Sequence, residues 1–121
     1  MRQLLVIAAV AGLAACVTPS IPIPPPDPSL VSVMFNATSG RFSLTYPPQH
    51  EYIGGVAYVY DRFTGLGVIQ NVNADGSVGP TPEMSAQLGD DIVFSIENNH
   101  ETVSTCFVLR DGAQDPNVYC Q

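Results

Sequence analysis

Asp91-Ile92-Val93-Phe94-Ser95-Ile96-Glu97 and, beyond the turn signal Asn98-Asn99, Thr102-Val103-Ser104-Thr105-Cys106-Phe107-Val108-Leu109 decide the fold of this chain. Ile92, Phe94 and Ile96 recur at every second residue, and so do Val103, Thr105, Phe107 and Leu109. A period of two puts each set on one side of an extended chain. Two such runs joined by a short Asn-rich connection predict neighbouring antiparallel strands.

The pattern continues outward from there. Segments rich in Val, Ile, Phe, Tyr and Thr fall at 30–36, 41–46, 53–60, 66–72 and 77–81, which with 91–97 and 102–109 makes seven. Ser39-Gly40, Tyr46-Pro47-Pro48, Thr64-Gly65, Asp75-Gly76 and Leu88-Gly89-Asp90 separate them as turn signals. No window sustains a helical period. Phe42, Leu44 and Tyr46 share a face, as do Val56, Tyr58 and Tyr60, and these rows are expected to point inward. The expectation is all-β: a small seven-stranded antiparallel sandwich over 30–110.

Upstream, the composition changes. Pro19, Pro22, Pro24, Pro25, Pro26 and Pro28 crowd into 17–29, fixing φ and removing backbone donors. Polyproline II is the natural conformation, and such a spacer reaches at most ~40 Å. Before it, Arg2 leads into an apolar run, 4–15, that ends in small residues. A charged start, an apolar middle and small residues before a cut make a secretory signal peptide. At ~1.5 Å per residue that run is too short for a transmembrane helix across a core of ~30 Å.

Leu13-Ala14-Ala15-Cys16 resembles the lipobox of bacterial lipoproteins. The resemblance implies removal of 1–15, attachment of diacylglycerol to the Cys16 thiol, and a chain whose membrane partner is reached through that lipid. Val17 is not the Asp that resembles an inner-membrane retention signal, so the outer membrane is the expected location, with the domain periplasmic or surface-exposed. The domain reading follows: 1–15 signal peptide, 16–29 lipidated cysteine and Pro-rich linker, 30–121 sandwich with a C-terminal tail. The lipobox also resolves an odd cysteine count. With Cys16 used by lipid, Cys106 and Cys120 remain as a pair, expected to close in an oxidising compartment. The alternation turns Cys106 away from the core, so the bridge would clamp the tail outside the sandwich, with Asn117-Val118-Tyr119 as an edge strand.

Val59-Tyr60-Asp61-Arg62-Phe63-Thr64-Gly65, Asn73-Ala74-Asp75-Gly76-Ser77 and Leu88-Gly89-Asp90 together look like a bacterial immunoglobulin-like domain. The resemblance covers 29–109 and implies a non-enzymatic structural or interaction role in the cell envelope, with an envelope or extracellular protein as partner. Transthyretin-like modules show a similar strand and turn pattern and are the alternative fold.

The formal charge of the chain is −7. Past the signal, Arg41, Arg62 and Arg110 face eleven acids, giving −8 with no lysine at all. Such a surface repels nucleic acid, which requires cations to neutralise phosphate. No lysine is present to act as a base, and no Gly-x-Ser-x-Gly elbow, phosphate loop or His-Glu-x-x-His helix occurs. Asp90 and Asp91 are adjacent and point to opposite faces, which is wrong for shared acid–base work. The chain is therefore read as a non-enzyme without a cofactor.

Three features bear on binding. His50-Glu51 and His100-Glu101 hold the only two histidines, and in a sandwich of this type their loops share the end where the N-terminal chain enters. Two imidazoles with carboxylates there would suit zinc or a similar ion, which makes a small-ligand or divalent-metal binder the first alternative function. Asn71-Val72-Asn73-Ala74-Asp75-Gly76 imitates half a calcium loop, but the twelfth position is Pro82, and Asp-Gly reads better as a tight turn. Tyr46, Pro47, Pro48 and Tyr52 form a candidate partner-contact loop, which would also serve the second alternative, an inhibitor of a periplasmic or host hydrolase.

Overall fold

The computed structural model describes residues 22–121. The expected signal peptide, Cys16 and the residues up to 21 lie outside the described residues. Among the described residues there are eight strands: β1 (Ser32–Asn36), β2 (Arg41–Thr45), β3 (Val56–Asp61), β4 (Gly67–Asn71), β5 (Met84–Ser85), β6 (Asp91–Asn98), β7 (Glu101–Val108) and β8 (Gly112–Ala113). They form two four-stranded antiparallel sheets, β5-β2-β1-β8 and β4-β3-β6-β7. Among the described residues the only helical pieces are two short 3₁₀ turns, Pro28–Leu30 and His50–Tyr52.

The deciding stretch folds as its alternation requires. β6 and β7 pair from Asp91↔Val108 to Asn98↔Glu101. Ile92, Phe94 and Ile96 are fully enclosed, as is Phe107, and they meet Phe42 and Leu44 of β2 in one core. Burying each such side chain contributes roughly 1.5–3 kcal/mol. Six of the seven expected strands are found within a few residues of their expected bounds.

The fifth is not. Segment 77–81 makes one bridge, Val78 to Tyr46. Beyond it, Leu44 N–H donates to the Thr81 hydroxyl at 2.9 Å and Thr81 N–H donates to the Leu44 carbonyl at 3.0 Å, so a side chain stands in for a ladder acceptor. Pro80 and Pro82 bring no N–H to continue a ladder, and β2 takes β5 as its neighbour instead.

β3 corrects a face assignment. Val56, Tyr58 and Tyr60 do share a face, but it is the outer one; Ala57, Val59 and Asp61 point inward and are buried. Both rows begin apolar, and the tyrosines, with polar tips, take the wet side.

The spacer reading is corrected from Pro22 onward. The prolines keep the chain extended, but it does not stand clear of the domain: Ile23 is buried in the core cluster and lies against the sandwich end. This strap, residues 22–27, leads through the Pro28–Leu30 turn, capped by Asp27, into β1.

The Cys106–Cys120 disulfide is formed, with Cα atoms 6.0 Å apart. The tail edge strand is β8, however, and it pairs with β1 at Ser32↔Ala113 and Val33↔Gly112. Asn117 is turn, Val118 is bend, and Tyr119 is irregular, so none of Asn117-Val118-Tyr119 is strand. From β8 the tail returns so that Cys120 meets β7 and Gln121 N–H donates to Asp91 Oδ2 at 3.0 Å.

Candidate functional site

The strap end gathers most of the residues singled out from sequence. Tyr46 and Tyr52 are buried, their ring centroids 6.0 Å apart, and Tyr46 also packs against Phe94. They are core residues with polar tips rather than a contact loop. The Tyr52 hydroxyl donates to the Pro24 carbonyl at 2.7 Å, and Asp27 N–H donates to the Tyr46 hydroxyl at 2.9 Å. Burial pushes the Tyr52 phenol far above its ordinary value, so it stays a donor. Only Pro47 and Pro48 of that candidate loop are exposed.

His50 opens the His50–Tyr52 turn, and His100 sits in the β6–β7 hairpin, so both histidines occupy the expected end. They do not converge. His50 lines a depression of about 390 Å³ with Ile23 and Glu51, whereas His100 lines an adjoining one of about 360 Å³ with Gly54 and Glu97, and Asn98 and Asn99 border both. Glu101 Oε2 accepts from Ile23 N–H at 3.1 Å, and the Glu51 carboxylate accepts from the Gln49 amide. Among the described residues no three His, Cys, Asp or Glu side chains come together as metal ligands. The metal constellation His50, Glu51, His100 and Glu101 is thus not assembled. The strap claims one of its carboxylates and Gln49 the other.

Asn98 ties this end together, donating to the carbonyls of Glu51 at 3.0 Å and Ile53 at 3.1 Å. The hairpin beside it is tight: Asn99 and His100 hold φ of 50° and 65°. Left-handed backbone costs a residue with a Cβ roughly 1–2 kcal/mol. The calcium-like stretch is a turn. Asp75 Oδ1 accepts from Ser77 N–H at 2.9 Å, and the Ser77 hydroxyl holds the Asp75 carboxyl below the usual carboxylate range.

Sequence reading missed the opposite end. Asp61 closes the inward row of β3 with no exposed surface. Its Oδ1 accepts from Phe63 N–H at 2.7 Å and Thr64 N–H at 3.3 Å, fixing the β3–β4 turn. Its Oδ2 is buried without a hydrogen-bond partner. Burial pushes the Asp61 carboxyl up, and the adjoining Asp90 carboxyl raises it further against the pull of the two N–H groups. A like charge nearby favours the neutral form of a carboxyl, as burial does. Asp90 also faces a cleft of about 560 Å³ lined by Ser39, Phe63, Leu66, Ser85 and Gln87. Phe63 and Leu66 are largely exposed on its rim. The signal available in sequence was Asp61 at an inward register position, two residues after Val59.

No protein-family model, no curated protein and no solved structure matches this chain.

Proposed function

We propose that the protein is a lipid-anchored module of the bacterial cell envelope, an immunoglobulin-like sandwich with a non-enzymatic structural or interaction role. The observation that carries this reading is Leu13-Ala14-Ala15-Cys16 standing six residues before Pro22, where the docked strap begins. Six extended residues reach ~20 Å, about half the length of a free Pro-rich spacer. A lipid on Cys16 would therefore hold the strap end of the sandwich close to the bilayer. One acyl chain binds a membrane marginally, and two or three bind it stably. The disulfide adds support from compartment, since such bonds persist in oxidising surroundings.

The test is Cys16→Ser with fractionation and labelled fatty acid. The expected result is loss of label, with the chain released or left unprocessed. A variant that stays with membranes at the size of the processed chain overturns the anchor.

A further inference from the structure

We propose that the free edge of β4 pairs with β4 of a second copy, antiparallel about a two-fold axis through Ile69, joining two β4-β3-β6-β7 sheets into one. The inference does not depend on the lipid anchor. It begins with the phase of the ladder. Asp61 N–H donates to the Leu66 carbonyl at 2.9 Å, and Val72 N–H donates to the Gly55 carbonyl at 3.0 Å. These bracket the β3–β4 pairing, Val56↔Asn71 to Tyr60↔Gly67. Antiparallel alternation then aims the backbone groups of Val68 and Gln70 at β3, and those of Gly67, Ile69 and Asn71 at the open edge.

Nothing on β4 guards that edge. Exposed edges are usually blunted by charge, proline, a bulge or brevity. Residues 65–74 contain no charged residue and no proline. The five β3–β4 pairs run without a bulge. The other edges differ: β5 and β8 are two residues each, and β7 bears the disulfide to the tail. In a chain with such an acidic excess, a charge-free edge is where two copies approach with least repulsion.

The edge is complementary to itself in one register. Centred on Ile69, it sets Ile69 against Ile69, Gly67 against Asn71 and Val68 against Gln70. All three edge-facing residues then meet edge-facing residues, which yields about six ladder hydrogen bonds. A slip of one residue would turn half-buried side chains outward. Ile69, 68% exposed, gains an apolar partner across the axis. The orphaned Gln70 Oε1 lies on this strand too. The two Gln70 side chains become diagonal neighbours, ~7–8 Å apart, within reach of each other's amide N–H.

Single cysteines in the full chain test the register. Ile69→Cys and Asn71→Cys replace exposed residues on the same face of the same strand. In the proposed pairing the two 69 positions are opposite, within disulfide reach, while the two 71 positions are ~13 Å apart and beyond it. Under mild oxidation Ile69→Cys should give covalent dimer roughly tenfold more than Asn71→Cys, because only the former meets the Cα limit of ~7 Å. Equal yields, no dimer from either, or a mixed disulfide with a different protein would each overturn the proposal. Sedimentation of Ile69→Lys supplies the second reading: association should fall with the melting temperature unchanged, and association that persists also overturns it.

Discussion

At the end where the chain enters the sandwich, Tyr46, Tyr52 and Glu101 each hold one backbone atom of the strap, and these polar atoms are paired. At the other end the tail is returned by a covalent bond, Gln121 is tied to Asp91 and Arg62, and a buried acid keeps one oxygen without a partner. The first end is secured by many weak contacts that depend on aromatic packing. The second is secured by one strong link beside a group whose charge is costly. A fold can thus be fastened at both ends while an acid whose charge burial disfavours sits at only one of them.

The comparison breaks most severely at Tyr52. Tyr52→Ala removes a fully buried ring and the donor to Pro24, and should cost about 4 kcal/mol in a urea titration, as large aromatic deletions do. Limited proteolysis should then cut the strap before the sheets. Cys120→Ser tests the covalent end. It opens a loop with a sequence separation of 14 and should cost about 3 kcal/mol by the same titration, leaving the strap protected.

Asp61→Asn sharpens the contrast in acidity. The amide keeps the acceptor for Phe63 and Thr64 and offers N–H toward Asp90. It should raise stability at neutral pH by about 1–2 kcal/mol, the scale of a buried polar atom left unpaired. The sign of the pH effect follows from a folded value above the unfolded one. The native chain is helped most below about pH 4, where Asp61 is neutral in both states, and loses that help as pH rises toward the folded value. The difference between native and Asp61→Asn melting temperatures should therefore widen from pH 4 to pH 7 and vanish below pH 4. A constant difference would mean that Asp61 is not the titrating group. The smallest effect belongs to His100→Gly, which relieves a left-handed residue and should gain about 1 kcal/mol in thermal melts without altering the hairpin.

These regions also mark where sequence was legible. β2, β6 and β7 carry alternation whose rows differ clearly in polarity, so their faces could be read directly. The disulfide was expected from cysteine parity and an expected oxidising compartment, and it is formed. β3 was misread because Val56, Tyr58 and Tyr60 look as apolar as Ala57 and Val59, and the inward row ends in an acid whose partner lies 29 residues away. The strap was invisible for a related reason. One isoleucine among prolines does not say which surface it will cover, and the hydroxyls that hold the strap belong to Tyr46, just past β2, and Tyr52 of the following turn. The metal reading failed at the level of side chains: both histidines reached the expected end, yet Glu101 was already engaged by Ile23.

The strap has a mechanical consequence. A pull applied through the N-terminal chain reaches Ile23 before any strand. The bonds at Ile23, Pro24 and Asp27 are then loaded in sequence, and each yields at ~1 kcal/mol rather than as one shared barrier. Peeling residues 22–27 pays out ~20 Å of slack before force reaches β1. The sheets are spared while that length runs out, and the strap can settle back when tension drops. A segment that packs the end of a sandwich at rest thus acts under load as its shock absorber.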